Sequence, residues 1–234
     1  MPSHPVVTPA EWLRARQELL REEKEFTRLR DELSRKRRAL PWVRMEKGYS
    51  FDGASAGMTL RDLFEGRRQL VIYHLMFEPG ATEACPLCSF WADNFERNAI
   101  HLAHRDVTMA AVSRAPLPAL RSYAARLGWT FPWYSSFGTD FNPDFGVTQT
   151  QAGIDSGAGR YNYAPASRPG EAPGISVFYR EEDGTVYHTY SCYARGLDMM
   201  NAAYHYLDLV PLGRNEDDLP FTMTWVRRRD QYDR

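Results

Sequence analysis

The chain has 234 residues, enough for one domain with a substantial core or for one domain plus an appended segment. Hydrophobic residues make up 43% and charged residues 25%, an ordinary balance for a globular protein and unlike that of a disordered chain. The net charge of −1 excludes a global field that would draw the whole protein to nucleic acid or acidic lipid.

Residues 9–38 read as one long helix. Thr8 suits the N-cap, Pro9 the first helical position and Glu11 the first turn. Trp12, Leu19, Phe26, Leu33 and Leu40 recur at seven-residue spacing, while Glu22 and Lys36 interrupt the second row begun by Ala15 and Leu29. So narrow a stripe suits packing on the domain body or on a partner subunit, and a homo-oligomer is expected. Arg35-Lys-Arg-Arg38 reads as a solvated last turn whose cations oppose the helix dipole. The alternative, a nucleic-acid patch, is disfavoured by the near-neutral chain. Pro41 ends the segment.

Residues 42–53 read as extended, and Thr59–Gly66 as a short helix stopped by glycine. Leu70–Phe77 is an apolar run read as a buried strand. Ser89 to about His104 reads as a helix, Val107–Ser113 as a second strand, and Leu117–Leu127 as a helix ended by Gly128. After an extended piece at 131–135, the stretch from about 136 to 172 is dense in Gly, Asn, Asp and Pro. It is too long for an ordinary connection and reads as an insertion, a lid or an interface. Ile175–Arg180 and Val186–Cys192 flank Asp183-Gly184 as a hairpin, and Leu197–Leu209 closes as a helix. The expected organisation is a helical arm over 1–41, an α/β domain over 42–213 and a tail over 214–234. Local strand–helix–strand units imply parallel pairing and the hairpin adds antiparallel pairing, giving a mixed sheet flanked by helices.

Cys85-Pro86-Leu87-Cys88 stands between the apolar strand and the helix that follows. That is a context in which two cysteines do thiol–disulfide chemistry. Cys85 would sit at the helix N-terminus, where unpaired N–H groups and the helix dipole favour a thiolate, and Pro86 suits the first helical position. Cys85 would attack, and Cys88, one turn on, would resolve. Two alternatives stay open: a pair of buried structural thiols, or half of a metal site. No second Cys-x-x-Cys or His-x-x-x-His supplies further ligands, so no metal is expected. Gly157-Ala-Gly159 follows no strand and opens no helix, so no dinucleotide cofactor is expected either. Candidate proton acceptors for Cys88 are Glu78, Glu83, His74 and Asp93. Trp91, on the motif helix, is placed to pack or to touch substrate. Three cysteines, Cys85, Cys88 and Cys192, make no structural disulfide framework and fit a reducing compartment. The start, Met1 to Thr8, lacks a basic region followed by an apolar one, so no signal peptide is read and a cytoplasmic location is expected, with no membrane partner.

The element order and motif position resemble the thioredoxin-like superfamily. Several stretches are similar to a bacterial family, DUF899: "CPLCSFWADNF", "RDVTMAAVSRAPL", "GWTFPWYSSFGTDFNPDFGV", "PGISVFYREEDGTVYHTYSCYARGLDMMNAAYHYLDL" and "WVRRRDQY". The resemblance covers nearly the whole chain. It implies a thioredoxin-like fold and a dithiol–disulfide oxidoreductase acting on a protein or small-molecule disulfide with an unknown reductant. In the superfamily a cis-proline precedes the strand facing the active site. Pro173 is its best match, and with Pro86 and Trp91 it forms the expected substrate-binding set. The family usually has Thr where this chain has Cys192, and thioredoxins have an aromatic residue where it has Ala84. Two further readings are a thiol peroxidase, with Cys85 oxidised to a sulfenic acid, and a non-catalytic binding or assembly module. Peroxiredoxins support their cysteine with a nearby Thr and Arg, and "EPGATEACPLC" offers no such pair.

Overall fold

The computed structural model describes residues 4–233; Met1, Pro2, Ser3 and Arg234, and with them the first residues of the segment read for a signal peptide, lie outside the described residues. The chain divides into two compact units, one ending at Pro41 and the other beginning at Trp42.

The first unit is built on α1 (Pro9–Arg38). Thr8 and Glu11 cap it reciprocally. The Thr8 N–H donates to Glu11 Oε2 at 2.9 Å, and the Glu11 N–H donates to Thr8 Oγ1 at 3.3 Å. Four cations, Arg35 to Arg38, occupy the last turn. Trp12, Leu19, Phe26 and Leu33 all stand exposed.

The second unit runs β1 (Val43–Arg44), β2 (Ser50–Phe51), β3 (Met58–Thr59), a 3-10 turn (Asp62–Phe64), β4 (Gln69–His74), α2 (Pro86–Ala92), α3 (Ala99–Ala103), β5 (Val107–Ser113), α4 (Leu117–Leu127) and β6 (Trp133–Ser135). It continues with α5 (Phe141–Asp144), β7 (Thr148–Gln149), α6 (Gln151–Asp155), β8 (Arg160–Tyr161), β9 (Ala164–Pro165), β10 (Gly170–Glu171), β11 (Gly174–Arg180) and β12 (Val186–Tyr193). A 3-10 segment (Ala194–Met200) and α7 (Ala202–Leu207) follow. The main sheet has the order β1-β12-β11-β4-β5-β6. β4, β5 and β6 are parallel, while β11, β12 and β1 are antiparallel. The expected α/β class is what the chain adopts: a mixed sheet flanked by helices, a long N-terminal helix and a run of short elements ahead of the last hairpin. No helix among the described residues is long and apolar enough to cross a membrane.

Alternation along the central strands separates two cores. Leu70 and Ile72 join Ala110, Val112 and Phe178 on one face. Tyr73, Leu75 and Phe77 join Met109, Ala111, Ile175 and the motif helix on the other. The hairpin turns at Gly184, whose φ of 85° lies in the left-handed region that glycine enters without strain.

Four expected elements differ. The short helix expected over Thr59–Gly66 is a 3-10 turn at Asp62–Phe64 alone, with Thr59 in β3. The strand expected at 70–77 pairs as β4 only to His74, although the Leu75 N–H still donates to Val112 O at 2.9 Å. The helix expected from 89 to 104 is two helices. Asn94 ends α2 by donating from its side chain to Phe90 O at 2.8 Å, the carbonyl a longer helix would need. The helix expected over 197–209 is likewise split at Asn201. Asn201 is extended and caps α7 through Tyr204 N at 3.4 Å. The stretch 136–172 holds six short elements, α5 to β10, rather than open loop. Its end is tied down by Glu171, which pairs with Arg114 at 2.9 Å and accepts from Thr148.

Candidate redox site at the Cys85–Cys88 turn

Residues 78–84 loop out after β4 and return where the Cys85 N–H donates to Met76 O at 2.9 Å. Cys85 is then the N-cap of α2 and Pro86 its first residue. Cys85 is half-buried and Cys88 is buried; both are thiols here. The Cys88 S–H donates to the Cys85 sulfur, and this is the main cause that brings the Cys85 thiol down to about 6. Burial opposes the shift; the N–H groups of Cys88 and Leu87 and the charge of Arg228 support it. The Cys88 thiol is pushed the other way, first by burial and then by giving its proton to Cys85. Two cysteines a single turn apart are thereby shifted in opposite directions, Cys85 toward the thiolate and Cys88 toward the thiol.

Arg228 comes from the far end of the chain. Its Nη2 donates to Ala84 O at 2.7 Å, its Nη1 lies 2.9 Å from Glu83 Oε2, and its Nε donates to the Tyr123 oxygen at 2.9 Å. With that oxygen already accepting, the Tyr123 hydrogen is directed to Ser89 Oγ at 2.8 Å. Ser89 in turn donates to Cys85 O at 2.9 Å. The carbonyls on both sides of the Cys85 nitrogen and sulfur are thereby fixed by one guanidinium, once directly and once through two hydroxyls. The tail itself is anchored by buried Val226, by Arg126 bridging Glu83 and Asp230, and by Arg229 near Asp93.

Pro86 is half-buried beside Cys85. Trp91 is buried: its Nε1 donates to Leu197 O at 2.8 Å, and its ring meets Phe90 and Tyr204 edge-on. Pro173 follows a trans peptide bond, since no described residue has a cis one. It shares a cleft of about 320 Å³ with Met76, Gln149, Tyr161, Arg168 and Glu171. The backbone edge there is occupied. β10 pairs with β7, the Ala172 N–H donates to Val147 O at 2.8 Å, and Pro173 O accepts from Tyr161 OH at 2.8 Å.

Three of the four expected proton acceptors are engaged elsewhere. Glu83 pairs with Arg126 and Arg228, and Asp93 accepts from Trp129 Nε1 at 2.8 Å. Glu78 is exposed. His74 lies on the opposite face of the sheet against Phe141 and Phe145, hydrogen-bonded to Ser176 at 2.8 Å, with burial lowering its pKa to about 3. Instead Tyr73, buried on β4, donates its phenolic hydrogen to the Cys88 sulfur. Cys192 is buried on β12 in the same core, with Ile175 between it and Tyr73 across the sheet. Sequence reading missed Tyr73 and Arg228. The alternation of β4 carried a signal for the first, since Tyr73 shares the α2 face with Leu75 and Phe77. No spacing tied Arg228 to the motif. Among the described residues no group of three or more His, Cys, Asp or Glu side chains is arranged to hold a metal ion.

A family model described as "Bacterial protein of unknown function (DUF899)" matches residues 1–232. No curated protein matches the chain. Among solved structures it is similar to peroxiredoxin Q of Xanthomonas campestris, at 17% identity over 71% of this chain and 96% of that one, with a TM-score of 0.44. Peroxidoxin BcpB of Mycobacterium tuberculosis is similar at 13% identity over 70% and 96%, with a TM-score of 0.44. A secreted disulfide oxidoreductase of Mycobacterium tuberculosis homologous to Escherichia coli DsbE is similar at 15% identity over 66% and 92%, with a TM-score of 0.37.

Proposed function

We propose that this chain, which belongs to the DUF899 family of bacterial proteins of unknown function, is a thiol-based reductase of small electrophiles, with a hydroperoxide as its substrate class. What carries the reading is the setting of Cys85: a half-buried thiol at the N-cap of α2, its pKa brought down to about 6 by the Cys88 S–H and two backbone N–H groups, with Arg228 on the adjoining Ala84 carbonyl. The thiolate attacks the terminal peroxide oxygen, the O–O bond breaks, and the alkoxide leaves and takes a proton from solvent. Cys88 then attacks the Cys85 sulfenic acid and water leaves, giving the Cys85–Cys88 disulfide. The charge of Arg228, from the C-terminal segment, acts on Cys85 where the local sequence has no arginine, which supports the peroxidase reading.

The small-substrate reading rests on the edge at Pro173. An extended polypeptide would add to a free backbone edge, and β7 and Tyr161 already take that edge. The cleft lined by Met76 and Pro173 admits a compact molecule. Exchange with a disulfide substrate is the second reading, favoured by the direct Cys88–Cys85 hydrogen bond, which keeps the resolving thiol poised without any rearrangement. In either case a thiol reductant of a reducing compartment, with the cytoplasm expected, returns the dithiol. Assembly into a homo-oligomer through the exposed stripe of α1 belongs to the same proposal.

The test compares rates under one set of conditions. Reduced protein is mixed with an alkyl hydroperoxide or with a disulfide-bonded peptide, and formation of the Cys85–Cys88 disulfide is followed. Faster oxidation by the hydroperoxide supports the reading. Faster exchange with the peptide moves the assignment to a dithiol–disulfide oxidoreductase.

A further inference from the structure

A phenylalanine would fill the place of Tyr73 in this core without a buried hydroxyl to satisfy. Tyr73 is 1% exposed, its ring packs edge-on against Phe95 at 5.0 Å, and it lies among Leu75, Met109 and Ile175. A phenol buried there without a partner costs stability, so its hydrogen needs an acceptor. The acceptor is the sulfur of Cys88, itself 2% exposed. Both side chains of this pair are thus buried, and among the described residues no carboxylate is engaged with Cys88.

We propose that Tyr73 is a positioning residue for the resolving step, holding the Cys88 sulfur toward Cys85 and stabilising the charge that develops on it as it attacks. The inference rests on the reading of Cys85 and Cys88 as attacking and resolving thiols. In the step, a lone pair of the Cys88 sulfur forms the S–S bond while the S–O bond of the Cys85 sulfenic acid breaks. The departing hydroxide takes the Cys88 proton and leaves as water; the Cys88 sulfur is oxidised and the Cys85 sulfur reduced to the disulfide level, so no outside oxidant or reductant is needed. As that proton departs, negative charge gathers on a sulfur shielded from solvent, and the Tyr73 O–H is the donor directed at it. Burial and the neighbouring cysteines raise the Tyr73 pKa well above its ordinary value, so the phenol stays protonated and serves as a donor rather than as a base. The other titratable groups acting on the pair are Cys85, at the N-cap of α2, and Tyr161 from the insertion, while Arg228 from the C-terminal segment acts on Cys85.

Tyr73→Phe keeps the ring and removes the donor. After a pulse of alkyl hydroperoxide, disulfide closure in the variant slows by roughly tenfold, the rate equivalent of one hydrogen bond to a charged sulfur. The sulfenic acid becomes trappable by dimedone, and the pH profile of closure moves to higher pH. The first step, loss of peroxide, keeps its rate. Closure at the wild-type rate across the pH range overturns the proposal. So does an equal slowing of both steps with an unshifted profile, which marks a merely structural role. Diamide provides a second measurement, since it activates Cys85 for attack by Cys88 without a sulfenic acid. If peroxide fails to oxidise the wild type but diamide-driven closure still slows in Tyr73→Phe, the peroxidase reading falls and the role of Tyr73 stands. Equal diamide-driven closure in both proteins sinks the role of Tyr73 alone.

Discussion

The Nη2 of Arg228 donates a 2.7 Å hydrogen bond to the carbonyl of Ala84, the peptide unit that leads into Cys85. The same guanidinium lies against Glu83 and reaches the next carbonyl through Tyr123 and Ser89. Cys85 is therefore held by the last stretch of the chain as well as by its own helix. Arg228→Met is predicted to raise the titration midpoint of the Cys85 thiol, followed by the ultraviolet absorbance of the thiolate. Cys88→Ala is predicted to raise it further, because the Cys88 S–H is the larger cause of the shift. The reverse ranking would mean that charge rather than the thiol donor sets the state of Cys85.

Stability should follow the same titration. Cys85 has a folded-state pKa of about 6, below the ~8.5 of an unfolded thiol. A depressed pKa stabilises the fold fully above the unfolded value, and the contribution is lost as pH falls through the folded one. Between these limits the unfolding free energy of the reduced wild type is predicted to gain on that of Cys85→Ser as pH rises, by at most about 3 kcal/mol. Denaturant titrations at a series of pH values check this. Parallel curves for the two proteins would contradict a thiolate in the folded state.

Trp91 separates a packing role from a substrate role. Trp91→Phe removes the bond to Leu197 O and part of the ring from the core, a loss of about 1–3 kcal/mol. The midpoint of chemical denaturation should fall while the alkylation rate of Cys85 stays at the wild-type value. A slower Cys85 in a fully stable variant would return Trp91 to the substrate-binding set.

The seven-residue stripe of α1 gives a prediction about assembly. Phe26→Glu, at an exposed stripe position, is predicted to lower the molar mass measured by light scattering to that of one chain. A wild type that already runs as one chain rules out assembly through α1.

Much of the scaffold was legible because it is written in local patterns. Thr8, Pro9 and Glu11 mark the start of α1, Asp183-Gly184 marks the hairpin, and the apolar run before Cys85 marks β4. The splits of the two helices were not legible, because the local bonds of Asn94 to Phe90 O and of Tyr204 N to Asn201 go with a long-range one, in which the Ala202 N–H at the start of α7 donates to Asn94 Oδ1. The same reason hid the support of the site. Tyr73 reads as one more apolar residue of a strand until α2 is laid over its face. Arg228 lies in a basic run that sequence spacing cannot connect to Ala84. The carboxylates nearest the motif in sequence drew attention as proton acceptors, yet Glu83 and Asp93 serve to anchor the C-terminal segment and Trp129.

The most direct test is the mass of the protein after one equivalent of alkyl hydroperoxide at neutral pH, quenched with an alkylating agent and digested. The account predicts a Cys85–Cys88 disulfide in the wild type, a sulfenic acid at Cys85 in Cys88→Ala, and no oxidation at either position in Cys85→Ser. Wild-type protein recovered with both thiols reduced, under conditions that consume a control thiol peroxidase's substrate, would contradict it.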